Sequence, residues 1–178
     1  RGHVVEVLTG RIGAGVGEAQ AEDSGLRVHR VLVGQVEGGL AQTTLRLVQG
    51  IQRVELENVA LTQSILADFH PDVVLIWGMW NIDRAVAQQV ERQAGPRVAY
   101  YFCDYWPTLP NAYIQRLREP ARRRHMQLLK SLLGHLYLPR LMAASAAPLR
   151  FEHPICVSNA VRNLLVDGPR SLGQHSRR

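Results

Sequence analysis

The chain has 178 residues, of which 46% are hydrophobic, and a formal charge of +6 at neutral pH. That length predicts one domain with a core of its own, and that composition excludes a disordered chain. No apolar run approaches the roughly 20 residues that span a bilayer, no signal-peptide pattern opens the chain, and two cysteines exclude a disulfide scaffold and suit a reducing cytosol. The excess of positive charge points to an anionic partner or surface.

The chain opens at Arg1-Gly2-His3, without Met, and runs straight into a strand, so residues upstream are expected. Residues 4–8 (VVEVL) are apolar except Glu6 and read as a parallel strand. A glycine-rich loop follows, with Gly13, Gly15 and Gly17. A dinucleotide-binding turn needs a sixth-position glycine opening a helix; here that position is Glu18 and no helical pattern follows, so a loop is expected and not a phosphate cradle. Residues 26–33 read as a second strand nearer an edge, with His29 half-exposed and lacking a partner at metal spacing. Gly34, Gly38 and Gly39 form the next loop.

Residues 40–69 carry a helical period, with Leu47, Ile51 and Val54 on one face and Leu61, Ile65 and Phe69 further on. Gly50 and the region of Asn58 are expected to bend or split this helix, and His70-Pro71-Asp72 to stop it. Residues 73–77 (VVLIW) are the strongest β-forming run. They end at Gly78-Met79-Trp80-Asn81, a change to polar and aromatic character. Asn81 or Asp83 can cap the following helix, with Ala85, Val86 and Val90 inward, and Gly95-Pro96 closes it.

Residues 98–102 (VAYYF) read as a central strand buried on both faces. Cys103, Asp104, Tyr105 and Trp106 lie at its carboxyl end, before Pro107 and Pro110. In open α/β sheets, ligands bind outside the carboxyl ends of strands. A short helix over 111–117 comes next. Pro120 then suits the first turn of a helix that begins with Arg122, Arg123 and Arg124 and carries Met126, Leu128, Leu129, Lys130, Leu132, Leu133 and Leu136 before Pro139 ends it. Residues 155–157 (ICV) read as a short buried strand. Ser158 caps a helix over 159–166, and Gly168-Pro169 stops it. The fold class this order predicts is α/β: a Rossmann-like parallel sheet with helices on both faces and right-handed crossovers. The domain covers 1–168, and 169–178 is a frayed or truncated tail.

The candidate chemistry gathers at strand ends. Two roles are open to Asp104: hydrogen bonding to ligand hydroxyls, or capping the Tyr105-Trp106 amides in a turn. Trp77 is expected in the core, and Trp80 and Trp106 in a cleft. Cys103 and Cys156 are expected as buried, inert thiols on neighbouring strands, since nothing nearby would activate them. Seven histidines show no ligand spacing, so no metal is expected. The leucine-rich helix is expected to pack inward with Arg122–Arg124 solvated. Its functional alternative is a peripheral contact with anionic lipid through Arg122, Arg123, Arg124 and Lys130.

Four motifs line up in order: Gly2-His3-Val4-Val5-Glu6-Val7-Leu8-Thr9-Gly10, Pro71-Asp72-Val73-Val74, Phe102-Cys103-Asp104-Tyr105-Trp106, and Val157-Ser158-Asn159-Ala160-Val161-Arg162. Together they resemble the amino-terminal domain of a family 4 retaining glycosyltransferase of GT-B fold. The likeness implies half of a GT-B fold, with the family's first strand lying before Arg1. It implies an acceptor-side cleft built from Gly78, Trp80, Asn81, Cys103, Asp104, Tyr105, Trp106, Ser158, Asn159 and Arg162. It also implies no cofactor beyond a nucleotide diphosphate sugar donor, held mainly by a carboxyl-terminal domain outside this chain, and a carbohydrate or lipid-linked acceptor. Cys103 stands where the family commonly has His, so that His role does not carry over. The expected location is the cytoplasm, with a peripheral contact at the inner membrane face. The rival class is a non-catalytic basic α/β module binding nucleic acid or an anionic membrane, with nucleic acid the less favoured partner.

Overall fold

A computed structural model describes residues 2–11, 26–35, 51–109, 111–121, 124–144 and 148–167. The glycine-rich loop, the start of the long helix with Gly50, Pro110, Arg122 and Arg123, and the tail lie outside the described residues.

The architecture is α/β with parallel strands. In chain order the described elements are β1 (Val5–Gly10), β2 (Leu26–Leu32), α1 (Ile51–Phe69), β3 (Val74–Trp77), α2 (Arg84–Ala94), β4 (Val98–Phe102), α3 (Ala112–Arg118), α4 (Arg124–Ala144), β5 (Pro154–Cys156) and α5 (Asn159–Asp167). The sheet is not continuous. β1 pairs only with β2, from Val5↔Leu26 to Thr9↔Arg30, while β3, β4 and β5 form a second parallel sheet in that order. The two sheets meet at their carboxyl ends, where the Gln35 amide donates to the Asn81 carbonyl at 2.7 Å.

α1 runs unbroken through Asn58, against the expectation of a bend there. The Asn58 side chain is buried and pairs with both backbone groups of Val33, at 2.9 Å each. Thr62 is buried one turn on and donates to the Asn58 carbonyl. Burying an amide without partners would be costly; here both polar atoms of the Asn58 side chain join α1 to the end of β2, and so the residue holds the helix in place.

β4 is central but buried on one face. Val98, Tyr100 and Phe102 point into a core with Ile76, Ala87, Val90, Ala94 and Trp106, while Ala99 and Tyr101 stay half-buried. On the same outer side Leu75, Trp77 and Ile155 are exposed. The expectations of helices on both faces, of a doubly buried β4 and of a buried β5 therefore fail among the described residues. The side-chain period of a strand is two, and α2 covers only the Ile76–Tyr100–Phe102 face.

The loop before β5 is anchored by a buried carboxylate. Glu91 of α2 accepts the Tyr100 hydroxyl at 2.7 Å and the backbone amides of Arg150 and Phe151 at 2.8 and 3.2 Å. Burial, and then this carboxylate, push the Tyr100 pKa upward. Phe151, at φ 49°, drops its ring among Tyr100, Phe102 and Trp106.

A second core joins Tyr113, Ile114 and Leu117 of α3 to Leu133 and Leu141 of α4. α4 continues through Pro139 to Ala144, where the sequence predicted a stop. Its orientation also differs from expectation. Leu128, Leu132 and Leu136 are exposed, Leu128 by 80%, while Lys130 is only 5% exposed. Lys130 is thus removed from the set of membrane-contact candidates, and burial lowers its pKa. The Arg124 side chain lies outside the description.

Candidate functional site

The turn after β3 is built by two left-handed residues. Gly78 has φ 62° and Asn81 φ 60°, a region that glycine enters freely and asparagine tolerates. This double reversal carries Trp80 across to the end of β4. There its indole N–H donates to Asp104 Oδ2, and Asp104 Oδ1 accepts the Trp106 amide at 2.9 Å. Both carboxylate oxygens are engaged, so Asp104 does cap its turn, and it also holds the exposed Trp80 ring. Tyr105 lies edge-on to Trp80, with centroids 6.5 Å apart.

Two expectations about tryptophan are reversed. Trp77 is 68% exposed, its indole N–H directed to Cys103 Sγ at 3.2 Å. Trp106 is 5% exposed and packs with Phe102 and Phe151 in the core. The thiols also differ from expectation: Cys103 is exposed and Cys156 half-buried. They do lie on neighbouring strands, with Phe102↔Cys156 in register.

Two depressions open along this edge. The larger, about 780 Å³, is walled by Phe102, Pro107, Thr108 and Phe151 and by the start of α5. Ser158, Asn159 and Arg162 also line it. Ser158 Oγ accepts the Val161 amide at 3.3 Å, the expected cap. Asn159 and Arg162 are exposed at the rim.

The smaller cavity, about 120 Å³, lies where α1, α2 and α3 converge. Trp80, Asn81 and one side of Trp106 border it. Asp83 caps α2 by accepting the Ala85 amide at 2.7 Å, and its other oxygen accepts the side-chain amides of Gln35 and Asn111. The Gln35 carbonyl takes the Ala112 amide at 3.0 Å, and Asn111 caps α3 through Tyr113. Glu55 reaches in from α1 to bond with Asp83. Desolvation first, then the Asp83 charge and that bond, raise its pKa to about 7. Glu55 therefore titrates close to neutral pH.

Sequence reasoning treated Asp83 only as a cap and passed over Glu55 and Gln35. A signal existed: Glu55, Asn58 and Thr62 recur at helical spacing, a polar stripe on a face that had to pack. Between the two depressions, Arg84 Nη2 donates to the carbonyls of Pro107 and Leu109 at 2.6 and 2.9 Å and fixes the loop that separates them.

Among the described residues no group of three or more His, Cys, Asp or Glu converges as a metal site would require. No helix among them is long and apolar enough to cross a membrane. No family model matches the chain, and neither does a curated protein or a solved structure.

Proposed function

We propose that this chain is the acceptor-binding half of a retaining glycosyltransferase of the family 4, GT-B type, moving a sugar from a nucleotide diphosphate sugar to a carbohydrate or lipid-linked acceptor. The observation that carries the reading is the common edge of β3, β4 and β5. Their carboxyl ends place Trp80, Asp104 and the Ser158–Arg162 junction around open depressions, where ligands of parallel α/β sheets bind. The split into two parallel sheets supports it as well: β1 and β3 each have one edge unpaired among the described residues, as expected if a further parallel strand belongs between them. The donor would be held mainly by a second domain. The test is transfer of labelled hexose from UDP- and GDP-sugars to a panel of carbohydrate and lipid-linked acceptors, by this chain in its full reading frame. Transfer supports the reading; its absence across the panel counts against it.

In that enzyme Asp104→Asn is expected to lower transfer about tenfold or more while costing roughly 1 kcal/mol of stability. The amide still accepts from Trp106, but its NH₂ cannot accept from the Trp80 indole, so the ring loses its anchor. Comparing kcat/KM with the urea midpoint decides this: full activity would leave Asp104 as a turn residue alone.

A second reading has an observation of its own. α4 contains no Asp or Glu, and Leu128, Leu132 and Leu136 form an exposed stripe along it. Such a face suits the surface of an anionic membrane. Leu128→Gln with Leu132→Gln is expected to abolish flotation with phosphatidylglycerol vesicles. Wild-type binding should weaken with added salt. Equal recovery of variant and wild type would reject the contact.

A further inference from the structure

The larger depression has apolar walls and a polar, cationic border along the first turn of α5. Phe102, Pro107, Phe151, Leu165 and Val166 line it, and Arg162 is the one charged residue bordering it among the described residues. The Arg162 side chain is exposed and makes no hydrogen bond or ion pair with another described residue. Asn159 stands three positions before it, on the same face of α5. Ser158 Oγ accepts the Val161 amide, which leaves its O–H to donate. Thr108 also borders the depression, but its hydroxyl is committed to the Tyr105 carbonyl at 2.9 Å. The apolar wall is fixed in advance. Phe151 sits at φ 49°, a costly region for a bulky side chain, and Glu91 holds it there through the Arg150 and Phe151 amides. Small-molecule pockets enclose roughly 300–1,000 Å³, and this one, at about 780 Å³, falls inside that range.

The contrast between wall and border selects the occupant. A free sugar carries hydroxyls all round and would bury several of them against the apolar wall without partners, at a cost for each. A nucleotide diphosphate sugar brings more than one negative charge to a single cation, and its base meets apolar side chains. A cation is repelled by Arg162. A hydrocarbon alone gains nothing from the guanidinium. We propose that this depression binds an anionic amphiphile, a phosphate monoester of a hydrocarbon chain, with its head at Arg162, Ser158 and Asn159 and its chain against Phe102, Phe151 and Leu165. The terminal oxygens of a phosphate monoester accept from all three donor residues, and the bond from a guanidinium to a phosphate is among the stronger hydrogen bonds. The identification of this amphiphile with a lipid-linked transferase acceptor rests on the proposed function; its binding does not.

The experiment is a calorimetric titration of the chain with octyl phosphate below its micelle-forming concentration. Inorganic phosphate, 1-octanol and octyltrimethylammonium are the contrasting probes. The expected result is saturable binding of octyl phosphate, about tenfold or more tighter than 1-octanol or inorganic phosphate, and no binding of the ammonium. Arg162→Gln, at an exposed position, should weaken octyl phosphate about tenfold and bring it to the level of 1-octanol. Val166→Asp, also exposed, puts a negative charge on the lining and should weaken it as well. Leu128→Gln with Leu132→Gln, on the open stripe of α4, should leave it unchanged. Equal affinity for octyl phosphate and either inorganic phosphate or 1-octanol overturns the site, as does unchanged binding by Arg162→Gln. Loss of binding in the α4 variant overturns it too, by moving the ligand to that stripe. No turnover is measured, so saturable binding without any sugar transfer would overturn the transferase reading and leave the site standing. Transfer by a chain that does not bind octyl phosphate would do the reverse.

Discussion

Glu91→Ala is expected to cost about 3–5 kcal/mol, the largest loss from any single change considered. The carboxylate serves three donors at once: the Tyr100 hydroxyl and the Arg150 and Phe151 amides. Removing it leaves the buried Tyr100 hydroxyl and the two partly buried loop amides without that acceptor. It also frees the loop that seats Phe151 against Phe102 and Trp106, which forms part of the wall of the larger depression. Glu91→Gln retains an accepting oxygen and should lose less, about 1–2 kcal/mol. Tyr100→Phe removes a single donor and should fall near or below that value. Urea unfolding at neutral pH, followed by circular dichroism, ranks the three. An alanine variant with an unchanged midpoint would mean that the loop is held by its aromatic ring alone.

Glu55→Gln is expected to flatten the dependence of stability on pH. The Glu55 pKa is raised from 4.5 to about 7 in the folded chain. A group whose folded pKa lies above its unfolded value contributes stability that is fully present below the unfolded pKa and is lost as pH rises through the folded one. For Glu55 the loss runs from about pH 4.5 to about pH 7 and is complete by pH 8. Once Glu55 ionises, it faces Asp83 across the junction of α1 and α2. Of the cations nearby, Arg84 borders the cavity but directs its guanidinium to the Pro107 and Leu109 carbonyls. Glutamine imitates the protonated acid, because its NH₂ can donate to Asp83 at every pH. The variant should therefore match wild type at pH 5 and exceed it at pH 8 by about 1–2 kcal/mol, discounted for the partial solvent access of the site. In a chain of this size that is a rise in Tm of roughly 2–8 °C. Parallel curves for the two proteins between pH 5 and 8 would show that the Glu55 pKa is not raised in the fold.

The order of elements could be read from the sequence because it rests on local chemistry. The apolar run before Gly78 is a strand, and Asp83 caps the helix after it; Ser158 likewise caps the last helix. Proline and glycine at 95–96 close α2. Each of these follows from a side chain acting on backbone within a few residues, so a short window holds the whole cause. The parallel pairing followed too, since alternating strands and helices leave few other ways to bury both.

Tertiary structure decided which faces are covered, and that changed the reading of the aromatic and charged residues. Trp77 belongs to an apolar run, yet it shares the open face of its strand with Leu75; Trp106 follows a polar turn, yet that turn swings it under Phe151. The leucines of α4 were assigned inward from their number, but the helix buries Leu133 and Leu141 with Lys130 and leaves Leu128, Leu132 and Leu136 outside. A hydrophobic pattern records that a face is apolar and says nothing of whether another element reaches it. The Glu55–Asp83 pair is the sharpest case. Each carboxylate sits on its own helix with an ordinary local role, and the raised pKa exists only because packing α1 against α2 takes water from one and sets the charge of the other beside it.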